Sequence, residues 1–186
     1  MKGLFDLQGK VAVVTGGSRG IGAMIAQGFV EAGVKSYITA RREEVLNATA
    51  KALCETGECI AIVSDLGTVE GLTAFAQEIA SREEKLHILV NNAGASWGAS
   101  IDEYPESGWD KVMDLNVKSL FFLTQKLLPQ LRAAATAEDP ARVINIGSVN
   151  GERYAGLKAY AYVASKSAVH HMSREIAADL APDNIN

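Results

Sequence analysis

The chain is 186 residues long and 48% hydrophobic, with 18 Lys and Arg against 22 Asp and Glu and a formal charge of −4. That length and apolar content suffice for one sizeable core and point to a single domain spanning 1–186. The charges are interspersed, Arg41 and Arg42 being followed at once by Glu43 and Glu44, which argues against a nucleic-acid-binding stripe. No apolar run approaches the ~20 residues that cross a bilayer, and residues 1–10 lack the apolar segment of a secretory signal. A cytoplasmic globular protein without a membrane partner is expected. Cys54 and Cys59 are the only cysteines. A disulfide or a metal pair is open to them, but two small core residues in a reducing compartment is the favoured reading.

Residues 11–14 (VAVV) form a short β-branched run ahead of a glycine cluster, as a buried parallel strand does. The cluster opens a helix patterned by Ile21, Ile25, Phe29 and Val30 and closed by Gly33. A second strand is expected at 36–40, a polar helix at 42–54 and a third strand at 59–63. Residues 68–84 read as a helix with Leu72, Phe75, Ala76 and Ile79 on its apolar face. A fourth strand at 86–90 runs into Asn91-Asn92-Ala93-Gly94. A looser segment with Trp97, Pro105 and Trp109 leads to one long helix holding Leu115, Val117, Leu120, Phe121 and Leu128, which Pro129 should bend or end. Residues 133–140 read as a surface loop. A fifth strand at 143–146 ends at Gly147 and Ser148, and a last helix covers 159–180. Strands alternating with helices of this length demand right-handed crossovers and a parallel sheet covered on both faces.

The glycine cluster lies between a strand and a helix N-terminus, where backbone N–H groups and the helix dipole favour an anion. Gly16 permits the tight turn, while Gly20 and Gly22 let backbone approach a pyrophosphate and helix pack on strand. This placement predicts a dinucleotide site, and without a following Gly-Lys-Ser/Thr a P-loop ATPase is disfavoured. An acidic residue about 20 positions on would take the ribose 2′-hydroxyl of NAD, but Ala40 and Arg41 stand there. Arg41 with Arg19 makes a guanidinium clamp for a 2′-phosphate, favouring NADP over NAD; two solvated arginines is the alternative. Asn92, Ala93 and Gly94 close a strand at the ligand-binding edge of such a sheet, or form an ordinary turn. Asp65 meets an adenine amino group or caps the next helix. Asn116 lies in an apolar helical stretch and must find a partner, structural or functional.

Tyr162 and Lys166 are four residues apart on one helix face. An unperturbed tyrosine titrates near pH ~10, and a neighbouring ammonium favours the phenolate. Tyr160, six residues from Lys166, points elsewhere.

Thr15-Gly16-x-x-x-Gly20-x-Gly22, Asn91-Asn92-Ala93-Gly94, Asn116, Ser148 and Tyr162-x-x-x-Lys166 occur in order at the expected strand ends. Together they resemble the short-chain dehydrogenase/reductase family along the whole chain. The resemblance implies a Rossmann-type doubly wound parallel sheet and hydride transfer between NADP(H) and a carbonyl or alcohol. By residue, it implies that Tyr162 moves the proton, Lys166 lowers the tyrosine pKa and binds the nicotinamide ribose, and Ser148 holds the substrate oxygen. Asn116 would hold a relay water, and Ser18, Ile21 and Leu66 would join Gly16, Arg19, Gly20, Gly22, Arg41, Asp65 and 92–94 around the cofactor. Ser96 to Ala99, Tyr104-Pro105, Trp109 and Arg142 to Ser148 resemble in particular the NADPH-dependent 3-oxoacyl reductases associated with rhamnolipid synthesis. That implies a 3-oxoacyl thioester substrate, free or carrier-protein-bound, and a place in fatty acid metabolism. Another ketone, a sugar or a steroid alcohol remain open, as does a non-catalytic nucleotide-binding scaffold.

Family members commonly form tetramers through the helix after Asn116 and the helix of Tyr162. Ser148 and Tyr162 are fourteen positions apart, longer than the commonest spacing, so the loop at 149–158 must absorb the difference. Glu152, Arg153 and Lys158 within it read as exposed charges. Family members usually continue past residue 186 with a sixth and a seventh strand. The expectation is therefore a partial record of that domain, its five-stranded sheet open at one edge.

Overall fold

Residues 6–154 and 156–186 are described by the computed structural model; the reading of 1–10 rests in part on residues outside these. Five strands form one fully parallel sheet: β1 (Val11–Thr15), β2 (Lys35–Ala40), β3 (Cys59–Val63), β4 (Ile88–Asn91) and β5 (Arg142–Asn145), in the order β3-β2-β1-β4-β5. Side chains alternate across it. Val11, Val13 and Leu89 face a core shared with α3 (Val69–Arg82), α5 (Ser119–Ala134) and the end of α6 (Tyr160–Leu180). Ala12, Val14, Ile88 and Val90 face a second core against α1 (Gly20–Glu31) and α2 (Glu43–Leu53). This is the doubly wound arrangement expected from the sequence. The order reverses between β1 and β4, so ligands are drawn to the carboxyl ends of those two strands.

Four expectations need correction. The long helix is two: α4 (Glu106–Met113) and α5 are joined by a π-helical turn at Asp114–Lys118. Pro129 does not end α5, which runs on to Ala134. Its ring removes a single helical hydrogen bond, while buried Leu123, Leu127 and Leu131 hold the helix to the sheet on both sides of it. The outer edge of β5 is not wholly open, because Ile185 forms a parallel bridge with Ala141 and the Val143 N–H donates to the Asn186 carbonyl at 2.7 Å. Of the cysteines, both free, only Cys59 is in the core, and burial pushes its thiol up to about 12; Cys54 is exposed. No helix among the described residues is long and apolar enough to cross a membrane.

Candidate active site

Thr15, the last residue of β1, ties the glycine turn to the end of β4. Its hydroxyl donates to the Val90 carbonyl (3.2 Å) and accepts the Asn92 and Ala93 N–H groups (2.9 Å each), while the Asn92 amide donates to the Thr15 carbonyl (2.8 Å). Gly16 turns the chain at φ +67°, where a Cβ would sit 3.0 Å from Ala93 Cα. Gly22, in the first turn of α1, packs so closely that a Cβ would lie 2.3 Å from the Gly16 carbonyl oxygen. Asn92 and Gly22 thus hold the turn together. The N-terminus of α1 has no side-chain cap, so its first N–H groups are available to an anion.

Beside that terminus lies a cleft of about 420 Å³, lined by Gly16, Ser18, Arg19, Gly20, Thr39–Arg42, Val45, Ser64–Leu66, Asn92–Gly94 and Leu115. Three guanidiniums, those of Arg19, Arg41 and Arg42, border it. Arg41 stands 3.8 Å from the Asp65 carboxylate, both half exposed, a pairing too weak to keep Arg41 from an incoming phosphate. Asp65 does not cap α3; Thr68 does, accepting the Gly71 N–H, and Asp65 instead accepts the Gly67 N–H. Thr39 Oγ1 is buried in the wall without a hydrogen-bond partner among the described residues. The Ser18 carbonyl accepts from Thr49 of α2, which anchors the loop from the far side. The open helix terminus, the cationic border and the orphaned hydroxyl together fit a phosphorylated dinucleotide. Ile21 and Gly22 are not part of the lining; the Ile21 side chain is exposed.

The second half of the site is built by α6 against the exit of β5. Lys166 is buried, its Nζ donates to the Ile146 carbonyl at 2.6 Å and lies 5.8 Å from the centre of the Tyr162 ring. Burial pushes the Lys166 pKa down. Tyr160 turns away and packs edge-on against Tyr104, with ring centres 5.5 Å apart. Ser148 begins a 3₁₀ turn (Val149–Gly151), its hydroxyl accepting the Asn150 N–H. Glu152, Arg153 and Lys158 are exposed, as expected.

Asn116, in the π turn, is buried and fully engaged: Oδ1 accepts the Ala95 N–H (2.8 Å), and the amide donates to the Ala95 carbonyl (3.0 Å) and Ser165 Oγ (2.9 Å). Ser165 in turn donates to the Tyr162 carbonyl at 2.7 Å. Asn116 therefore reaches the Tyr162 turn through Ser165. Two arrangements left no mark in the motifs. Asn91 donates to Thr124 and Asn145, and Asn145 to Ser173, which makes a polar rung from β4 through β5 to α6. His170, four residues beyond Lys166, accepts the Ser148 N–H. Only the polarity of Asn91 and Asn145 inside apolar strand runs signalled the rung.

The short chain dehydrogenase family model matches residues 10–186. The rhamnolipids biosynthesis 3-oxoacyl-[acyl-carrier-protein] reductase of Pseudomonas aeruginosa is 53% identical over 182 residues, 98% of this chain and 71% of that protein. The 2-dehydro-3-deoxy-D-gluconate 5-dehydrogenase of Dickeya dadantii is 35% identical over 185 residues, 98% of this chain and 70% of that one. Among solved structures, the Pseudomonas aeruginosa RhlG/NADP active-site complex superimposes with a TM-score of 0.95 at 53% identity, covering 100% of this chain and 73% of that one. The motifs, the doubly wound sheet and these matches agree: the chain belongs to the short chain dehydrogenase family.

Proposed function

We propose that this protein reduces a 3-oxoacyl thioester, free or carried on an acyl carrier protein, to the 3-hydroxyacyl form with NADPH, residues 1–186 acting as one NADP-binding unit. The observation that carries the reaction is the buried Lys166 held against the Tyr162 ring at the exit of β5. The substrate class is supported by the 53% identity to a 3-oxoacyl-[acyl-carrier-protein] reductase.

NADPH, when bound, supplies the hydride that the carbonyl carbon receives. Tyr162 gives its phenolic proton to the carbonyl oxygen, and the Lys166 ammonium stabilises the phenolate left behind. Ser148 donates a hydrogen bond to the same oxygen as charge develops there. Lys166 also binds the nicotinamide ribose, and Asn116 supports the relay that brings a proton from solvent through Lys166 to restore the Tyr162 hydroxyl. Arg19 and Arg41 clamp the 2′-phosphate. Gly16, Ser18, Gly20, Asp65, Leu66, Asn92, Ala93 and Gly94 hold the rest of the nucleotide, while Gly22 packs beneath the turn and Ile21 contributes a backbone N–H of the first turn of α1 rather than its exposed side chain. A homotetramer joined along α5 and α6, a cytoplasmic location and a place in fatty acid metabolism belong to the same proposal. Phe121 and Phe122, both partly exposed on α5, support the assembly.

Reduced-cofactor absorbance is followed with a 3-oxoacyl thioester, and in parallel with NADH and with simple ketones. Loss of signal with NADPH and the thioester, well above the other pairs, is expected. Cofactor binding without turnover on any substrate would leave a nucleotide-binding scaffold instead.

A further inference from the structure

We propose that His170 is a positioning residue that fixes the backbone from which Ser148 presents its hydroxyl. The inference rests on the role given to Ser148 above. The His170 Nε2 accepts the Ser148 N–H at 3.2 Å. The fit is tight from below as well: a Cβ on Gly147 would lie 2.4 Å from that nitrogen, so the imidazole fills the space a side chain would need. Tyr162, Lys166 and His170 follow one another at intervals of four on α6 and so share a face. That face grips the β5 exit residue by residue. Ser173 accepts from Asn145, Lys166 donates to Ile146, and His170 takes the N–H of Ser148.

Beyond Ser148 the chain gives little support. Val149 is 62% exposed and Tyr154 is 99% exposed. The next tie to α6 comes three residues on, where Ser167 Oγ donates to the Gly151 carbonyl. The Ser148 hydroxyl hydrogen-bonds only with the Asn150 N–H of its own turn among the described residues. The imidazole therefore fastens the Ser148 backbone itself to α6, with the Ser167 bond to Gly151 holding the far end of the turn. To accept there, Nε2 must be bare and the ring proton must sit on Nδ1. The surroundings agree, because a Glu152 carboxylate oxygen lies 3.4 Å from Nδ1 and favours a proton there.

Nitrogen-resolved NMR of the wild-type histidine rings reads the tautomer of His170 directly. The Nδ1–H form is expected; the Nε2–H form overturns the proposal. Kinetics with NADPH and a 3-oxoacyl thioester supply the second arm. His170→Met, which lacks the acceptor, should lose kcat by about ten- to a hundredfold, the scale of an ångström-level misplacement, with KM and NADPH affinity nearly unchanged. His170→Gln puts an amide oxygen close to the Nε2 position and should recover turnover to within about threefold of wild type on the same reasoning. Wild-type kcat in His170→Met, or equal loss of NADPH binding in both variants, sinks the positioning role. Ser148→Ala, measured alongside, separates the two readings. If that variant turns over normally, the role of Ser148 fails while the tautomer result stands by itself; if it is impaired and His170→Met is not, only the inference about His170 fails.

Discussion

At the scale of single residues, the site turns on where one ammonium is kept. Lys166 is buried and spends a hydrogen bond on the Ile146 carbonyl, and burial lowers its pKa. Burial therefore makes its charged form costlier than that of a surface lysine, while the Ile146 carbonyl holds the nitrogen beside Tyr162. Removing the tyrosine hydroxyl leaves this arrangement standing and takes away the proton. Tyr162→Phe should therefore lose about 10²–10⁴ in turnover, the usual worth of a general acid, and still bind NADPH by fluorescence titration. Retention of wild-type turnover would remove Tyr162 from the mechanism. The Tyr162–Lys166 pair was legible in the sequence because four-residue spacing on a helix is a statement about geometry. The bonding role of Thr15 and the place of His170 were not legible, since their partners are backbone groups on distant elements and backbone N–H groups leave no mark in a sequence.

Among the elements, the π turn at Asp114–Lys118 departs furthest from expectation. Apolar spacing continues through it, so the sequence reads as one helix, and only the polar Asn116 in that run marks the interruption. The wider turn breaks the helical ladder there where the buried Asn116 bonds Ala95 and Ser165. Truncating Asn116 to Ala strands the Ala95 N–H and carbonyl in a half-buried setting and leaves the buried Ser165 hydroxyl without its donor. Each group left without a partner costs about 1–3 kcal/mol. A loss of that order should appear as a lower urea midpoint, with turnover falling as the Tyr162 turn loosens. An unchanged midpoint would mean that the neighbourhood repairs itself. Strand positions were predicted to within one or two residues, because β-branched runs between turn residues define them. The error over Pro129 has a physical source: sequence alone shows the lost N–H but not the leucines buried on either side.

For the whole molecule, the two ends of the sheet differ in kind. The carboxyl ends hold the cleft and Lys166. The amino ends are clasped by ion pairs: Lys10 with Asp139, and Lys35 with Glu83, which also accepts from Tyr37 at 2.6 Å. Between them His87 accepts the Val11 N–H through Nδ1 at 3.0 Å. Burial first, then the nearby Lys10 charge, holds the His87 pKa below its ordinary 6.5. The unfolded chain then binds the proton more readily than the native one. The stability from neutral His87 is complete above pH about 6.5 and is lost as pH falls through the lower native value. Urea midpoints between pH 7 and pH 5 should decline for the wild type and decline less for His87→Asn, whose amide oxygen keeps the acceptor without titrating. Equal slopes would exclude His87 as the cause.

That division has a use in engineering. A strand of five residues, at about 3.3 Å per residue, separates the clasps from the cleft by roughly 13–16 Å, beyond the 7–10 Å within which substitutions usually couple. The foundation can be reinforced without retuning the machinery above it. Thermal gains made at Lys35, Glu83 or His87 should add to specificity changes made at Arg41 rather than trade against them, and the base of the sheet is the place to begin when the protein must survive heat.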